Sequence, residues 1–198
     1  MLKKYFLLTA ILYLSLIPIN VSAQKFTPPD WSYNKAIYEV NVRQYTEEGN
    51  FKAFEKHLPR LKELGAEIFW FIPIHPIGEK NRKGTLGSYY SVKDYKAVNP
   101  EFGTVEEFKS LVKMVHKMGM YVIIDWVANH TAWDHQWIEE HPEFYTKDSM
   151  ENIIPPNPDW TDVADLNFDN KELWGEMIDA LKFWVEECDI DGYRCDVA

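Results

Sequence analysis

The chain has 198 residues, and its 31 Asp and Glu outnumber 21 Lys and Arg, for a formal net charge of -10. That balance speaks against nucleic acid or an anionic membrane as partner, since both are polyanions. The length allows one domain with a sizeable core, and eight Trp with eleven Tyr exceed what packing alone demands, a hint of aromatic platforms for sugar rings.

Residues 1–23 read as a leader rather than as fold. "MLKK" is basic, "YFLLTAILYLSLIPI" is apolar, and Val21 and Ala23 are small residues before a cut after Ala23. The apolar run falls short of the roughly 18–20 residues a membrane anchor needs. Export to a periplasm or beyond is the expectation, with no membrane contact after cleavage. Residues 24–198 are then the mature domain. Cys188 and Cys195 are its two cysteines, expected as half-buried small hydrophobes and not as a bridge.

From residue 36 onward, short apolar strands alternate with amphipathic helices. "AIYEVNV" (36–42) predicts a strand. "NFKAFEKHLPRLKELG" (50–65) predicts a helix with Phe51, Phe54, Leu58, Leu61 and Leu64 on one side, kinked or restarted by Pro59 and ended by Gly65. "EIFWFIPI" (67–74) is apolar almost throughout, as in a strand covered on both faces. Thr104 and Glu107 form a capping box for a helix whose buried stripe is Phe108, Leu111, Val112, Val115 and Met118. "MYVIIDWV" (120–127) is the third strand. A long excursion over 131–168 precedes a helix capped by Asn170, and "IDGYRCDV" is a fourth, burial-rich strand. Four strands alternating with helices predict a parallel α/β sheet, with the excursion as a functional insertion.

In such sheets, sites lie beyond the carboxyl ends of the strands. The third strand ends near Asp125, Asn129 and His130, and the fourth near Arg194 and Asp196. Strand alternation points residues 194 and 196 the same way, so the arginine keeps the aspartate ionised. A carboxylate held charged suits a nucleophile. A structural ion pair is the alternative.

"DWVANH" (125–130), "VADLN" (163–167), "GYRCD" (192–196) and the approach "YSVKDYKAVNPEFGTVEEFKSLVKMVHKMGMYVII" resemble, in order, the signatures of glycoside hydrolase family 13, the α-amylase family. The resemblance implies a TIM (β/α)8 barrel, of which these residues hold about the first four βα units, with a small subdomain inserted after strand three. It implies a retaining hydrolase of α-linked glucans. A transglycosylase or isomerising synthase of the family, or a non-catalytic sugar-binding relative, is the alternative. Asp196 matches the nucleophile and Arg194 its supporting arginine. His130 and Asp125 match residues that hold the sugar and order the site. Tyr90 matches an aromatic platform under that sugar, although neighbouring Tyr89 competes for the role. Asn129 and Asp165 match positions that bind a structural calcium in many members, and no organic cofactor is implied. Trp133, Trp137 and Trp160 are expected mainly in a local core, with outer sugar subsites as the alternative. The family's acid/base glutamate lies on a fifth strand, so the 198 residues are expected to be an N-terminal piece, inactive alone.

Overall fold

The computed structural model describes residues 27–197, which belong to two compact units, Met1–Tyr33 and Asn34–Ala198. The leader expected over 1–23 lies outside the described residues. In the first unit a 3₁₀ turn covers Asp30–Ser32, where Ser32 Oγ donates to the Pro29 carbonyl at 2.8 Å.

The second unit opens with β1 (Ile37–Val40), shorter than the expected strand. Asn41 ends it by capping a short helix, α1 (Val42–Tyr45), its side chain accepting from Gln44 N. The helix expected over 50–65 is two helices, α2 (Phe51–Glu55) and α3 (Leu58–Leu64). Pro59 sits in the first turn of α3, where its missing N–H removes no helical bond. Gly65, at φ +96°, closes α3 in the left-handed region. Leu64, expected on the buried side, is 65% exposed. Steps of three residues fall about 60° short of a full turn, so Leu64 has rotated off the stripe that Leu58 begins.

After β2 (Ile68–Phe71), a long connection leads to α4 (Val105–Lys117), which carries the complete capping box. Thr104 Oγ1 accepts from Glu107 N at 3.2 Å, and Glu107 Oε2 accepts from Thr104 N at 3.1 Å. Phe108, Leu111, Val112 and Val115 form the buried stripe; Met118 caps the end and is only partly buried. β3 (Tyr121–Val127) follows, then the excursion: β4 (His130–Ala132), α5 (Trp137–Glu140), a 3₁₀ turn over Pro142–Phe144, and β5 (Val163–Asp165), antiparallel to β4. Asn170 caps α6 (Lys171–Cys188), and β6 (Gly192–Asp196) completes the described chain.

β1, β2, β3 and β6 form one parallel sheet in that spatial order, so each strand lies beside the one before it. This one-way progression builds a barrel wall, without the reversal of a doubly wound sheet. β6 corrects the expectation of a burial-rich strand. It is one of the two outer strands among the described residues, and none of its side chains is fully buried. The cysteines separate for the same reason: Cys188 is buried, Cys195 is exposed, and both are free thiols.

The core reaches directly to the strand ends. Tyr95 stacks on Trp126 with ring centroids 5.0 Å apart, and Trp184 Nε1 donates to the Tyr95 carbonyl at 2.7 Å. The Tyr95 hydroxyl donates to the Val127 carbonyl at 2.7 Å, with the His130 carbonyl at 3.1 Å, fixing where the chain leaves β3. Gly78, in the connection after β2, approaches the excursion so closely that a Cβ there would stand 2.4 Å from Ala132 Cβ.

His75 is buried among Tyr95, Trp126 and Trp184, and its Nε2 meets no hydrogen-bond partner among the described residues. Burial pushes its imidazole from 6.5 down to about 4, and burial likewise pushes His135 to about 3. The unfolded chain therefore takes up these protons first, so this stability is complete above about pH 6.5 and is lost as pH falls through 4. Thermal unfolding across that window should show a falling midpoint, with a shallower fall in His75→Phe. An unchanged slope in the variant would remove His75 as a cause.

Candidate active site

Parallel pairing sets Asp125 of β3 beside Arg194 of β6, and Val127 beside Asp196. Arg194 Nη1 donates to Asp196 Oδ1 at 2.7 Å and also reaches Asp125 Oδ1 and Oδ2 at 3.2 and 3.3 Å. Residues 194 and 196 thus share a face, as alternation along the strand requires. Asp125 has no exposed surface, and its Oδ2 accepts from Trp70 Nε1 and the Tyr90 hydroxyl, each at 3.2 Å. The Arg194 guanidinium lies 5.0 Å from the centre of the Trp70 ring.

Trp70 is the participant that sequence reasoning missed. It sits in an all-apolar stretch that reads as core. Its N–H becomes significant only once the β2–β3 register sets Trp70 beside Ile123, two residues before Asp125.

Burial raises the Asp125 carboxyl above its ordinary value, against the opposing pull of Arg194 and Tyr90. Burial, reinforced by the charge of Asp125, lifts the Tyr90 hydroxyl to about 12, so it remains a donor at neutral pH. Arg194 is raised, first by its bond to Asp196, and stays charged. Burial lowers His130, with the charge of Asp196 acting the other way.

Beside the charged pair lies a pocket of about 490 Å³ lined by Tyr90, His130 and Asp196 together with Lys83, Trp160 and Asp162. Tyr90 and not Tyr89 faces it. The Tyr89 hydroxyl donates to Asn41 Oδ1 at 3.1 Å, and its ring lies under Arg43. The three tryptophans of the excursion take different places. Trp137 is buried, Trp133 packs against the core and donates to the Thr161 carbonyl, and Trp160 stands in the pocket wall.

Asn129 and Asp165 both lie next to His130. The Asn129 amide donates to His130 Nδ1 at 3.0 Å, and Asp165 pairs with His130 across β4 and β5. A calcium ion takes six to eight oxygens. Here each of the two neighbours His130, and no group of three or more His, Cys, Asp or Glu suited to a metal occurs among the described residues. The described donors do not by themselves compose a calcium shell.

A charged pair and a pocket at the carboxyl ends of parallel strands define an α/β barrel site. Residues 32–160 match the model of the alpha-amylase catalytic domain, and the chain belongs to that family. The sheet is accordingly part of a TIM barrel. The chain is 48% identical to an alpha-amylase from Lactobacillus plantarum whose crystal structure superposes with a TM-score of 0.80, covering 83% of this chain and 39% of that one. It is 32% identical to the alpha-amylase from Geobacillus thermoleovorans, solved complexed with acarbose, at a TM-score of 0.66, covering 82% of this chain and 40% of that one. It is also 31% identical to an alpha-1,4-glucan:maltose-1-phosphate maltosyltransferase from Salinibacter ruber, over 84% of this chain and 29% of that protein. The chain spans about a third of the length of the curated relatives it matches.

Trp70→Phe keeps a ring beneath Arg194 but removes one donor from a fully buried carboxylate. Such a loss costs about 1–3 kcal/mol, read as a lower denaturant midpoint with an unchanged slope. An unchanged midpoint would show that the indole N–H does not support Asp125.

Proposed function

We propose that the protein performs retaining glycoside hydrolysis on α-linked glucans, with Asp196 as nucleophile. The observation that carries this reading is the Arg194–Asp196 contact of 2.7 Å at the wall of the pocket. An arginine there pairs with the carboxylate and aims one oxygen, leaving the other for an anomeric carbon. Tyr90 presents a ring under the bound sugar, and His130 hydrogen-bonds it. Asp125 orders Arg194 and Tyr90 without meeting the reacting atoms.

Attack by Asp196 breaks the glycosidic bond and forms a glycosyl-enzyme ester, which water then opens with net retention. The leaving oxygen takes its proton from a second carboxyl group, about 5–5.5 Å from the nucleophile in enzymes of this kind. The family resemblance assigns that group to a fifth strand, so residues 1–198 alone would not turn over substrate. No step in this scheme passes through a metal. Export, expected from the leader, belongs to the same proposal, since polymeric glucans are met outside the cell.

The maltosyltransferase relative favours a second reading, in which another sugar replaces water at the second step. Both readings use the same first step and the same Asp196.

Asp196→Asn in the full-length protein should lower release of reducing sugar from soluble starch by about a thousandfold or more, while binding of maltooligosaccharides persists. Turnover that survives the substitution would take Asp196 out of its role.

A further inference from the structure

The loop over 79–88 borders two cavities. Lys83, Gly87 and Ser88 line the pocket beside Asp196, whereas Glu79, Arg82 and Leu86 line a second cavity of about 390 Å³ that shares no lining residue with the first. The backbone around this second cavity is firmly tied. Gly78 N donates to the Ser91 carbonyl at 2.9 Å and Lys93 N to the Pro76 carbonyl at 2.8 Å, around an antiparallel bridge of Ile77 with Val92. Asn99 N donates to the Ile74 carbonyl at 2.7 Å, and Asn99 Oδ1 accepts from Glu101 N at 3.1 Å.

Three cations stand on this frame, and their charges are met differently. Arg43 gives Nε and Nη2 to Glu101 Oε2, at 3.0 and 2.8 Å, and its guanidinium lies over the Tyr89 ring. Lys93 Nζ lies 3.1 Å from Asp134 Oδ2, with Glu79 Oε1 further off at 3.6 Å. Arg82 is the exception. Its Nε and Nη2 donate to the carbonyls of Gly78 and Ile77 at 2.7 and 3.2 Å, and no carboxylate of the described residues comes within ion-pair distance of it. Carbonyl dipoles aim a guanidinium but leave its unit charge without a counterion. An oxyanion supplies one through charge-assisted hydrogen bonds, the contact that arginine makes best. Glu79, the nearest competing carboxylate on the loop, has a side chain 73% exposed, so water screens it. The lining is apolar at Pro76, Ile77, Leu86 and Pro100, and a cavity of this size suits an organic ligand.

We propose that this cavity is a binding site for a small organic anion, with its carboxylate or phosphate group on Arg82 beside Lys93 and its apolar part against Ile77 and Leu86. The site goes beyond the glucan reading and does not depend on it. Two braced walls and an arginine already aimed by the backbone make it preformed, so little side-chain entropy is lost on binding.

The test uses the full-length protein and calorimetry at low salt with benzoate, phenyl phosphate, inorganic phosphate and benzyl alcohol. Benzoate or phenyl phosphate should bind about tenfold or more tightly than benzyl alcohol, a ring without charge, and than inorganic phosphate, a charge without a ring. The tighter of the two names the group that the site prefers. Arg82→Gln should weaken that ligand about tenfold, and Arg82→Lys should recover part of the loss. Leu86 is 55% exposed, so Leu86→Asp spares the core; the like charge it sets at the rim should also weaken the anion about tenfold. No binding of either organic anion, benzyl alcohol or inorganic phosphate binding as tightly, or an unchanged affinity in Arg82→Gln or Leu86→Asp would overturn the proposal. None of these outcomes bears on Asp196 or on the glucan reading.

Discussion

The carboxylate of Asp125 is the constraint around which the rest is arranged. A fully buried charge is costly unless it is paired and hydrogen-bonded. Asp125 meets that condition only through groups brought from three other parts of the chain. Trp70 comes from β2, Tyr90 from the connection that follows it, and Arg194 from β6. A one-residue slip of β6 against β3 would turn Arg194 away and strand the charge, because strand side chains alternate faces. The same bonds hold Arg194 where it meets Asp196, so order at the pocket is inherited from a requirement of the barrel interior. Asp196 is the one member of the charged cluster that lines the pocket.

Much of this was legible in the sequence because the signals are local. The Thr104–Glu107 box, the Asn170 cap and the left-handed Gly65 act within a few residues, and each delimits its helix as the pattern foretells. The pairing of Arg194 with Asp196 follows from a two-residue separation in a strand. Placing both at the end of a parallel strand rested on counting alternating elements, and the order of the sheet agrees. The family resemblance added the wider barrel and named the residues to watch.

What escaped notice depends on neighbours that no short window reveals. The role of Trp70 requires the register of two strands fifty residues apart. The sequence predicts a burial-rich strand with a half-buried Cys195, yet exposure is decided by what lies alongside the strand. Tyr89 and Tyr90 are adjacent and chemically alike. Only the bonds of one to Asn41 and of the other to Asp125 separate them. Trp160 resembles the other excursion tryptophans in sequence, yet it stands in the pocket wall while Trp137 is buried.

The close approach of Gly78 to Ala132 has a consequence for how such proteins diversify. Two connections, one after β2 and one after β3, touch at a point with no room for an added methyl group. They are tied again through Lys83 and Ser91. Insertions or side-chain changes in one connection therefore select for matching changes in the other, and the two form a single heritable unit although α4 and β3 separate them in the chain. Recombination between homologues that crosses over inside α4 or β3 would combine walls that never evolved together. Crossovers before β2 would carry both connections, together with Asp196, intact from one parent.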